Sequence, residues 1–261
     1  MEISLRGKTA LVTGASRGIG KAIAKSFVDA GAQVMLTSRK EDALRAAANE
    51  MDGETEIFAA NAGDIEQGQA CVDATMKRFG KIDILVNNAA VTFLLPIDSF
   101  PEKRFKLMIE TQVWGAIDLA QQVIPDMRQR GSGWILNISS RAAVKPIGPP
   151  FEAWFATGNS SVYGLCKAAL ERVSLGMAAE LYADNIAVNT LAPWDNVITP
   201  GAGAHDLLEG FVIESEEIIA QAALELCSGQ PKRLTGRVAY SQALLAEMGI
   251  SPQALTGGPF P

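Results

Sequence analysis

KTALVTGASRGIG, residues 8–20, joins a short apolar run to a segment of helical periodicity through a glycine-rich turn. The apolar run predicts a β-strand, and the apolar residues that recur every three or four positions after Gly18 predict an α-helix. Gly14, Gly18 and Gly20 allow a tight turn and a close approach of the backbone to a ligand. This stretch therefore predicts a strand–turn–helix unit at the start of an α/β fold.

Strands and helices of the same kinds alternate along the rest of the chain. The runs that predict strands lie at 8–14, 32–38, 54–61, 81–90, 133–140, 186–193 and 236–241. They are nearly continuous apolar runs, which is typical of parallel strands covered on both faces. We therefore predict an α/β, Rossmann-type doubly wound parallel sheet of about seven strands with helices on both faces, in a single domain that spans 1–261.

Four segments interrupt this regular pattern. Residues 101–131 are long enough for one long helix or two broken ones, with Pro125 as the expected kink. Residues 141–160 are rich in proline and glycine and predict an insertion that forms a loop. Residues 195–213 predict an irregular segment with short helical pieces, and the chain after 241 predicts a short tail rich in glycine and proline.

The composition is that of an ordinary globular protein. Apolar residues make up 48% of the 261 residues, charged residues 20%, and the formal net charge is -6, so nothing favours binding to nucleic acid or to an anionic membrane. No apolar run reaches transmembrane length, and the N-terminus has no signal-peptide pattern. Cys71, Cys166 and Cys227 have no CxxC spacing and predict free thiols in a reducing compartment. We therefore predict a cytoplasmic protein, and we see no cluster of His, Cys and Asp that predicts a metal site.

The glycine-rich turn is the first candidate ligand site. The helix that follows it presents free N–H groups and the positive end of its dipole, which suit a pyrophosphate. Its spacing, GxxxGxG, differs from the GxGxxG of the standard dinucleotide fingerprint. Glycines between a strand and a helix can also serve only as a tight turn, but the position at the first β–α junction favours a dinucleotide.

The end of the second predicted strand indicates which dinucleotide. An acidic residue about 20 positions beyond the loop would accept hydrogen bonds from the ribose of NAD, but Ser38, Arg39 and Lys40 stand there. Arg39, together with Arg17 in the glycine-rich turn, can pair with a 2′-phosphate. We therefore predict NADP (NADPH/NADP+), with an NAD-preferring alcohol dehydrogenase as an alternative. Arg39 and Lys40 could instead form only a solvated helix start.

SVYGLCKAAL, residues 161–170, places Tyr163 and Lys167 one helical turn apart in a segment that otherwise predicts a buried helix. A tyrosine has a pKa of about 10, and a neighbouring ammonium group lowers it. We expect Lys167 to lower the pKa of Tyr163 in this way. Tyr163 could then give a proton to a carbonyl that is being reduced by hydride, or take one from an alcohol that is being oxidised.

Five motifs, TGASRGIG, VNNAA, NISS, YGLCK and NTLAP, follow one another in this order along the chain. Together they resemble the short-chain dehydrogenase/reductase family, from about residue 6 to 241. The resemblance implies an NAD(P)-dependent enzyme that interconverts a carbonyl and a secondary alcohol on a small-molecule substrate. It also implies a homotetramer or homodimer formed through the helices around 101–131 and 161–184.

The resemblance implies roles for individual residues as well. Ser140 would hydrogen-bond the substrate oxygen, Tyr163 would be the general acid/base, and Lys167 would bind the ribose of the nicotinamide. Asp64 would contact the adenine, and Asn87 would line the cofactor. The implied cofactor site comprises Gly14, Ser16, Arg17, Gly18, Ile19, Gly20, Ser38, Arg39, Asp64, Ile65, Asn88, Ala89, Tyr163, Lys167, Pro193, Val197 and Thr199, of which Val197 and Thr199 would meet the nicotinamide carboxamide.

Three positions depart from the family's pattern. Gln112 stands where relatives have an asparagine that keeps a bulge in its helix and holds a water that relays protons to the lysine. A glutamine could preserve this relay with a shifted geometry or lose it, so we count Gln112 among the candidate catalytic residues. Ala90 replaces a glycine after the two asparagines, and Trp194 replaces a glycine after Pro193. These changes motivate a rival interpretation, an NADP-binding sensor or scaffold with little catalysis.

Two segments around the site carry the expectations about the substrate. The insertion between Ser140 and Tyr163 is longer than the family usually has and is rich in aromatic residues. It either covers an apolar substrate or packs against a neighbouring subunit. We expect an apolar substrate of the 3-oxoacyl, steroid, or cyclic or aryl ketone type. The segment 195–213 is the expected substrate lid, and His205 within it is expected to be a surface residue.

Overall fold

The computed structural model describes residues 3–197 and 213–251. Thr199, His205 and most of the predicted lid therefore lie outside the described residues. In chain order the elements are β1 (Thr9–Thr13), α1 (Gly18–Asp29), β2 (Gln33–Ser38), α2 (Glu41–Ala48), β3 (Thr55–Ala59), α3 (Ile65–Phe79), β4 (Ile84–Asn87), α4 (Glu102–Ile109), α5 (Gly115–Arg130), β5 (Gly133–Ile138), α6 (Ala153–Thr157), α7 (Ser161–Leu181), β6 (Ile186–Ala192), β7 (Asn196–Val197), β8 (Ile213–Glu214), α8 (Glu216–Leu226), β9 (Val238–Tyr240) and α9 (Ser241–Glu247).

Seven of the strands form one parallel sheet in the order β3-β2-β1-β4-β5-β6-β9. The predicted Rossmann-type doubly wound sheet is therefore confirmed. The strand order reverses between β1 and β4, because β2 and β3 extend the sheet on one side and β5, β6 and β9 on the other. Ligands of such sheets bind outside the carboxyl ends of the strands at this reversal point.

Both faces of the sheet are buried, as the continuous apolar runs predict. Neighbouring residues of β1 point into two separate apolar clusters, Val12 into one and Leu11 into the other. The first cluster includes Phe27 of α1 and Ile219 of α8, and the second includes Leu119 of α5. Helices therefore cover the sheet on both sides, and the polar side chains at the strand ends are left for the site.

The long helical region breaks at a place that the sequence did not indicate. Helices α4 and α5 are separated by a π-helical turn at Glu110–Trp114, and α5 continues through Pro125. The prediction that the helix is interrupted at Pro125 is thus wrong, because the interruption lies at Glu110–Trp114. Pro125 and Gln121, four residues before it, are both exposed, so solvent can satisfy the Gln121 carbonyl that loses its helical partner.

Two segments predicted to be irregular contain helices. The insertion 141–160 includes the short helix α6, and the chain directly after the last strand forms α9. Leu244 and Leu245 of α9 are buried in the same apolar cluster as α8. Their burial explains why this segment folds, although its glycine- and proline-rich neighbourhood predicts a tail.

Gly115 fixes the distance between α5 and the chain that follows β3. A Cβ atom added at Gly115 would lie well inside van der Waals contact of the Ala62 carbonyl oxygen. The backbone of Gly115 is α-helical, with φ -59, so alanine suits the backbone conformation and only the overlap opposes it. Any larger residue at this position must push α5 away from the sheet.

We expect Gly115→Ala to lower the free energy of unfolding by about 1–3 kcal/mol, the usual cost of overpacking a well-packed contact. Gly176 of α7 is the matched control, because its Cβ would meet only the end of the Arg172 side chain. Gly176→Ala should leave the stability unchanged or raise it by up to about 1 kcal/mol. Urea unfolding of both variants tests this, and equal stabilities would contradict the close contact with Ala62.

Candidate active site

The glycine-rich turn has the geometry of an anion-binding site. Gly14 and Gly18 have positive φ angles of 66° and 57°, which favour glycine. Helix α1 begins at Gly18 without a side-chain cap, so its first N–H groups remain available to a ligand. A Cβ on Gly20 would overlap the Asn88 side chain and the Gly14 carbonyl oxygen. The turn therefore packs directly against the end of β4.

Asn88 and Thr13 fasten these two strand ends to each other. Asn88 Nδ2 donates to the carbonyl oxygens of Thr13 at 3.0 Å and Gly14 at 3.3 Å. Thr13 Oγ1 accepts from the backbone N–H groups of Asn88 and Ala89, both at 3.0 Å. These bonds fix the shape of the crevice between β1 and β4, where the sequence predicts the dinucleotide.

The residues expected to select NADP lie in the glycine-rich turn and at the end of β2. Arg17 and Arg39 are exposed, and neither forms an ion pair within the described residues. The Ser38 hydroxyl is buried and has no hydrogen-bond partner among the residues that the structure describes. These groups are consistent with a 2′-phosphate site, because Ser38 and Arg39 stand where NAD enzymes have an acid and Arg17 adds a second positive charge from the glycine-rich turn.

Asp64 and Ile65 lie at the start of α3, on the carboxyl side of β3. Asp64 caps this helix, because its side chain accepts hydrogen bonds from Gln67 N at 3.1 Å and Gln67 Nε2 at 2.8 Å. Ile65 is half exposed. The position agrees with the implied adenine site, and the Asp64 carboxylate also has the structural role of a helix cap.

The structure brings Ser140, Tyr163 and Lys167 together at the end of β5. Ser140 caps a 3-10 turn at Arg141–Ala143 by accepting from the backbone N–H of that turn's second residue at 3.2 Å. The Tyr163 phenol hydrogen-bonds with Ser140 and Thr92. Lys167 is buried under Tyr163, with Nζ 5.8 Å from the centre of its ring.

The electrostatics of Tyr163 differ from the expectation. Burial raises the pKa of Tyr163, and the hydrogen bonds with Ser140 and Thr92 only partly oppose this. Lys167 Nζ donates to the Ile138 carbonyl oxygen at 2.8 Å and lies 5.8 Å from the centre of the Tyr163 ring. The expected net lowering of the Tyr163 pKa is therefore wrong for this chain without a ligand, because burial has the larger effect.

Lys167 is itself strongly perturbed. Burial lowers the pKa of its ammonium group from 10.5 to about 8, while Cys166 and Glu171 act in the opposite direction. The Glu171 carboxylate accepts from Ser139 Oγ at 2.6 Å, and burial raises its pKa. An amine with a pKa near 8 can give up and take back a proton close to neutral pH.

Gln112 lies at the centre of the π-helical turn, so the bulge that relatives form with asparagine is present here with glutamine. Its Nε2 donates to the Val91 carbonyl oxygen at 2.9 Å, and it lines a small cavity together with Asn87, Thr111 and Lys167. The volume open to the centre of a water molecule is about 10 Å³, close to the minimum for a single water.

Three buried oxygens around this cavity have no hydrogen-bond partner within the described residues. They are Oε1 of Gln112, Oδ1 of Asn87 and Oγ1 of Thr111. Unpaired buried oxygens that share a cavity of this size are the usual partners of a bound water. The cavity therefore offers a place for a water between Gln112 and Lys167, which is what a proton relay with shifted geometry requires.

Several residues of the site were not found from the sequence. Thr92 reaches Tyr163 from the segment after β4 and belongs to none of the five motifs. Glu171 follows Lys167 by one helical turn, so the helical spacing could have placed it near the site. A ladder of buried polar groups behind the site joins Asn87, Asn137 and Ser174 through hydrogen bonds of 2.8 Å.

The residues after β6 are only partly described. Pro193 and Val197 lie at the carboxyl end of the sheet with the other site residues, and Val197 is buried. Residues 3–197 and 213–251 contain no group of three or more His, Cys, Asp or Glu arranged to bind a metal. In the same ranges no helix is long and apolar enough to cross a membrane.

The lowered pKa of Lys167 makes stability depend on pH with a definite sign. Between pH 8 and 10.5 the unfolded chain binds more protons at this lysine than the folded chain does, so the free energy of unfolding rises with pH. We expect the native protein to gain up to about 3 kcal/mol relative to Lys167→Met over this range. Urea unfolding of both proteins across it tests this, and a constant difference would show that the lysine titrates normally.

Comparison with known proteins identifies the family. A model of the short chain dehydrogenase family matches residues 8–200. Human hydroxysteroid dehydrogenase-like protein 2 is 34% identical over 94% of this chain, which covers 59% of that relative. The chain thus spans about three fifths of the length of this curated relative. An uncharacterized oxidoreductase of Staphylococcus epidermidis is 28% identical over 82% of this chain and 88% of its own.

Two solved structures match the fold closely. L-sorbose reductase from Gluconobacter frateurii, in complex with NADPH and L-sorbose, has a TM-score of 0.79 at 29% identity and covers 92% of this chain and 97% of its own. A 7α-hydroxysteroid dehydrogenase, in complex with NADH and 7-oxo glycochenodeoxycholic acid, has a TM-score of 0.82 at 31% identity, with coverages of 92% and 94%. The chain therefore belongs to the short-chain dehydrogenase family.

Proposed function

We propose that this protein is an NADP-dependent oxidoreductase that interconverts a carbonyl and a secondary alcohol on a small, apolar substrate of the 3-oxoacyl, steroid, or cyclic or aryl ketone type. The observation that carries the proposal is the convergence of Ser140, Tyr163 and Lys167 beside the crevice between β1 and β4. One domain would hold both the cofactor and the substrate.

The proposed chemistry follows from the protonation states of the site. NADPH, when bound, supplies the hydride that reduces a carbonyl. Tyr163 has a raised pKa and is fully protonated at neutral pH, so it can donate a proton to the developing alkoxide. Ser140 lies within hydrogen-bonding reach of the phenol and would bind the same substrate oxygen. Lys167, together with the cavity at Gln112, would return a proton to Tyr163 from solvent.

The proposed preference for NADP rests on charge. Arg17 and Arg39 carry positive charge without ion-pair partners in the described residues. The residues from Ser38 to Lys40, at the end of β2, include no acid. Among the matching structures, L-sorbose reductase and a metagenomic short-chain oxidoreductase were solved with NADPH or NADP. The 7α-hydroxysteroid dehydrogenase was solved with NADH, which keeps an NAD-preferring enzyme as the second candidate.

The proposal extends to assembly and compartment. Large apolar side chains are exposed on the helices that relatives were expected to use for association, namely Leu107, Trp114, Leu165, Leu175 and Tyr182. A homodimer or homotetramer formed through α4, α5 and α7 would cover them, and the particle mass in solution tests this. The three cysteines are buried and free, which supports a cytoplasmic protein.

Loss of the phenol should abolish turnover. We expect Tyr163→Phe to lower the kcat for reduction of an aryl or cyclic ketone by at least about 100-fold, the usual contribution of a general acid. Tyr182→Phe is the matched control, because Tyr182 lies on the same stretch of chain at the exposed end of α7. NADPH consumption measures both. Binding of NADPH without turnover in the native protein would favour the sensor or scaffold instead.

Loss of one arginine should change the choice of cofactor. We expect Arg39→Ala to lower the ratio of kcat/KM for NADPH over NADH by about tenfold or more, because a charged hydrogen bond to the 2′-phosphate is lost. Arg45→Ala on α2 serves as the control, because that arginine is paired with Glu41. A native protein that prefers NADH, with no change in Arg39→Ala, would overturn the NADP proposal.

A further inference from the structure

We propose that Arg141, held against Trp194, is a carboxylate-binding subsite of the substrate pocket, so that the preferred substrates are apolar ketones or alcohols that carry a carboxylate. This inference rests on the proposed oxidoreductase function and specifies its substrate class.

The subsite lies where three neighbouring strands end. Arg141 comes directly after Ser140 at the end of β5, Trp194 follows β6, and Tyr240 is the last residue of β9. These strands are adjacent in the sheet and parallel. The three side chains therefore lie together at the carboxyl end of the sheet, beside the serine proposed to bind the substrate oxygen.

The aromatic side chains form a support for the guanidinium group. Arg141 Cζ lies 4.8 Å from the centre of the Trp194 ring. The Trp194 and Tyr240 rings meet edge to face, with centres 5.0 Å apart and planes at 87°. An arginine held against an aromatic ring keeps its N–H donors for a planar anion and loses less freedom when it binds one.

The backbone of Trp194 is itself fixed from behind. Glu214 is buried, with 1% exposure, and accepts hydrogen bonds from Trp194 N at 3.1 Å, from the Ser241 hydroxyl and from Gln242 Nε2 at 3.0 Å. Ser241 and Gln242 begin α9, directly after Tyr240. This carboxylate thus joins the chain after β6 to the chain after β9 and is satisfied by neutral donors.

Arg141 has only a weak partner of its own. Among the described residues its side chain makes one hydrogen bond, from Nη2 to Glu152 Oε2 at 3.2 Å, and the Glu152 side chain is 64% exposed. Exposed pairs of this kind stabilise a protein by about 0–1 kcal/mol. A substrate carboxylate that accepts two parallel hydrogen bonds from the guanidinium could displace Glu152.

Among the described residues no acid other than Glu152 forms an ion pair with Arg141. Glu171 accepts from Ser139 at 2.6 Å, and Glu214 is surrounded by the donors described above. Asp195 accepts from Gln242 Nε2 at 3.2 Å. The Arg141 guanidinium therefore keeps N–H donors for a substrate carboxylate while it lies against the Trp194 ring.

The test compares ketones that differ only in this charge. The probes are 5-oxohexanoate and 4-acetylbenzoate, each against its methyl ester, reduced with NADPH. We expect kcat/KM of the native protein to favour the acids by about tenfold or more, since one charged hydrogen-bonded pair gives this factor. In Arg141→Met the ratio of acid to ester should fall close to one, mainly through KM. In Glu152→Gln the ratio should rise, because the competing carboxylate is removed.

Arg128→Met is the matched control. Arg128 is an exposed arginine paired with Asp184 at 2.7 Å. Both residues lie near the C-terminal ends of α5 and α7, where β5 and β6 begin, and thus at the amino end of the sheet. This variant should keep the native ratio. A native ratio near one, or a ratio that survives in Arg141→Met, would overturn the subsite.

Failure of the subsite and failure of the proposed function give different results. Reduction of the esters that disappears in Tyr163→Phe supports the oxidoreductase whatever the ratio of acid to ester is. If no probe is reduced, the proposed function fails for these ketones, and calorimetry with 4-acetylbenzoate and its ester then decides on the subsite. Acid binding that is at least tenfold tighter and is lost in Arg141→Met would support it, and equal or absent binding would overturn it.

Discussion

The pairing of β1 with β4 is the contact on which both the sheet and its crevice depend. It is the one pairing that connects the two halves of the seven-stranded sheet, and it contains three residue pairs, from Ala10–Ile84 to Val12–Val86. Side chains reinforce it at both ends. At the amino end, buried Asp83 accepts from Thr9 N at 2.9 Å and from Arg130 Nη1 at 2.6 Å. At the carboxyl end, Thr13 and Asn88 bind each other, so the same bonds that join the sheet also shape the ligand crevice.

The pKa values of Tyr163 and Lys167, the proposed catalytic groups, are set by burial more than by each other. Burial favours the neutral form of any ionisable group, so it raises the pKa of Tyr163 and lowers that of Lys167 to about 8. The two pKa values therefore move apart, from nearly equal ordinary values to a raised one for the phenol and a lowered one for the amine. The phenol keeps its proton at neutral pH and can donate it to a substrate. The amine releases a proton near neutral pH and can supply one to the phenol. Such pairs of perturbed groups indicate the acid and base of a site.

The sequence predicted the parts of the structure that depend on local patterns. The continuous apolar runs predicted the strands, and the glycine spacing, the Tyr163–Lys167 turn and the residues at the end of β2 predicted a candidate site, which stays a prediction. Three-dimensional context decided what the sequence missed. Helix α9 forms because Leu244 and Leu245 find an apolar cluster, and α5 continues through Pro125 because the unpaired carbonyl faces solvent. The direction of the Tyr163 pKa shift depends on the burial of the phenol, which helical spacing does not determine.

Two consecutive residues at the end of β5 illustrate how the fold separates chemistry from selectivity. Ser140 contacts the phenol of α7, and Arg141 contacts the ring of Trp194 after β6. One peptide bond thus connects the group that would hold the reacting oxygen to the group that would choose the substrate. In a parallel sheet the segment after each strand reaches the same ligand-binding end. Residues after β6 and β9 can therefore change the choice of substrate without moving the proposed catalytic groups. Trp194, where the family's pattern has a glycine, would be a change of this kind, since it lies against the Arg141 guanidinium and Tyr163 and Lys167 are still brought together.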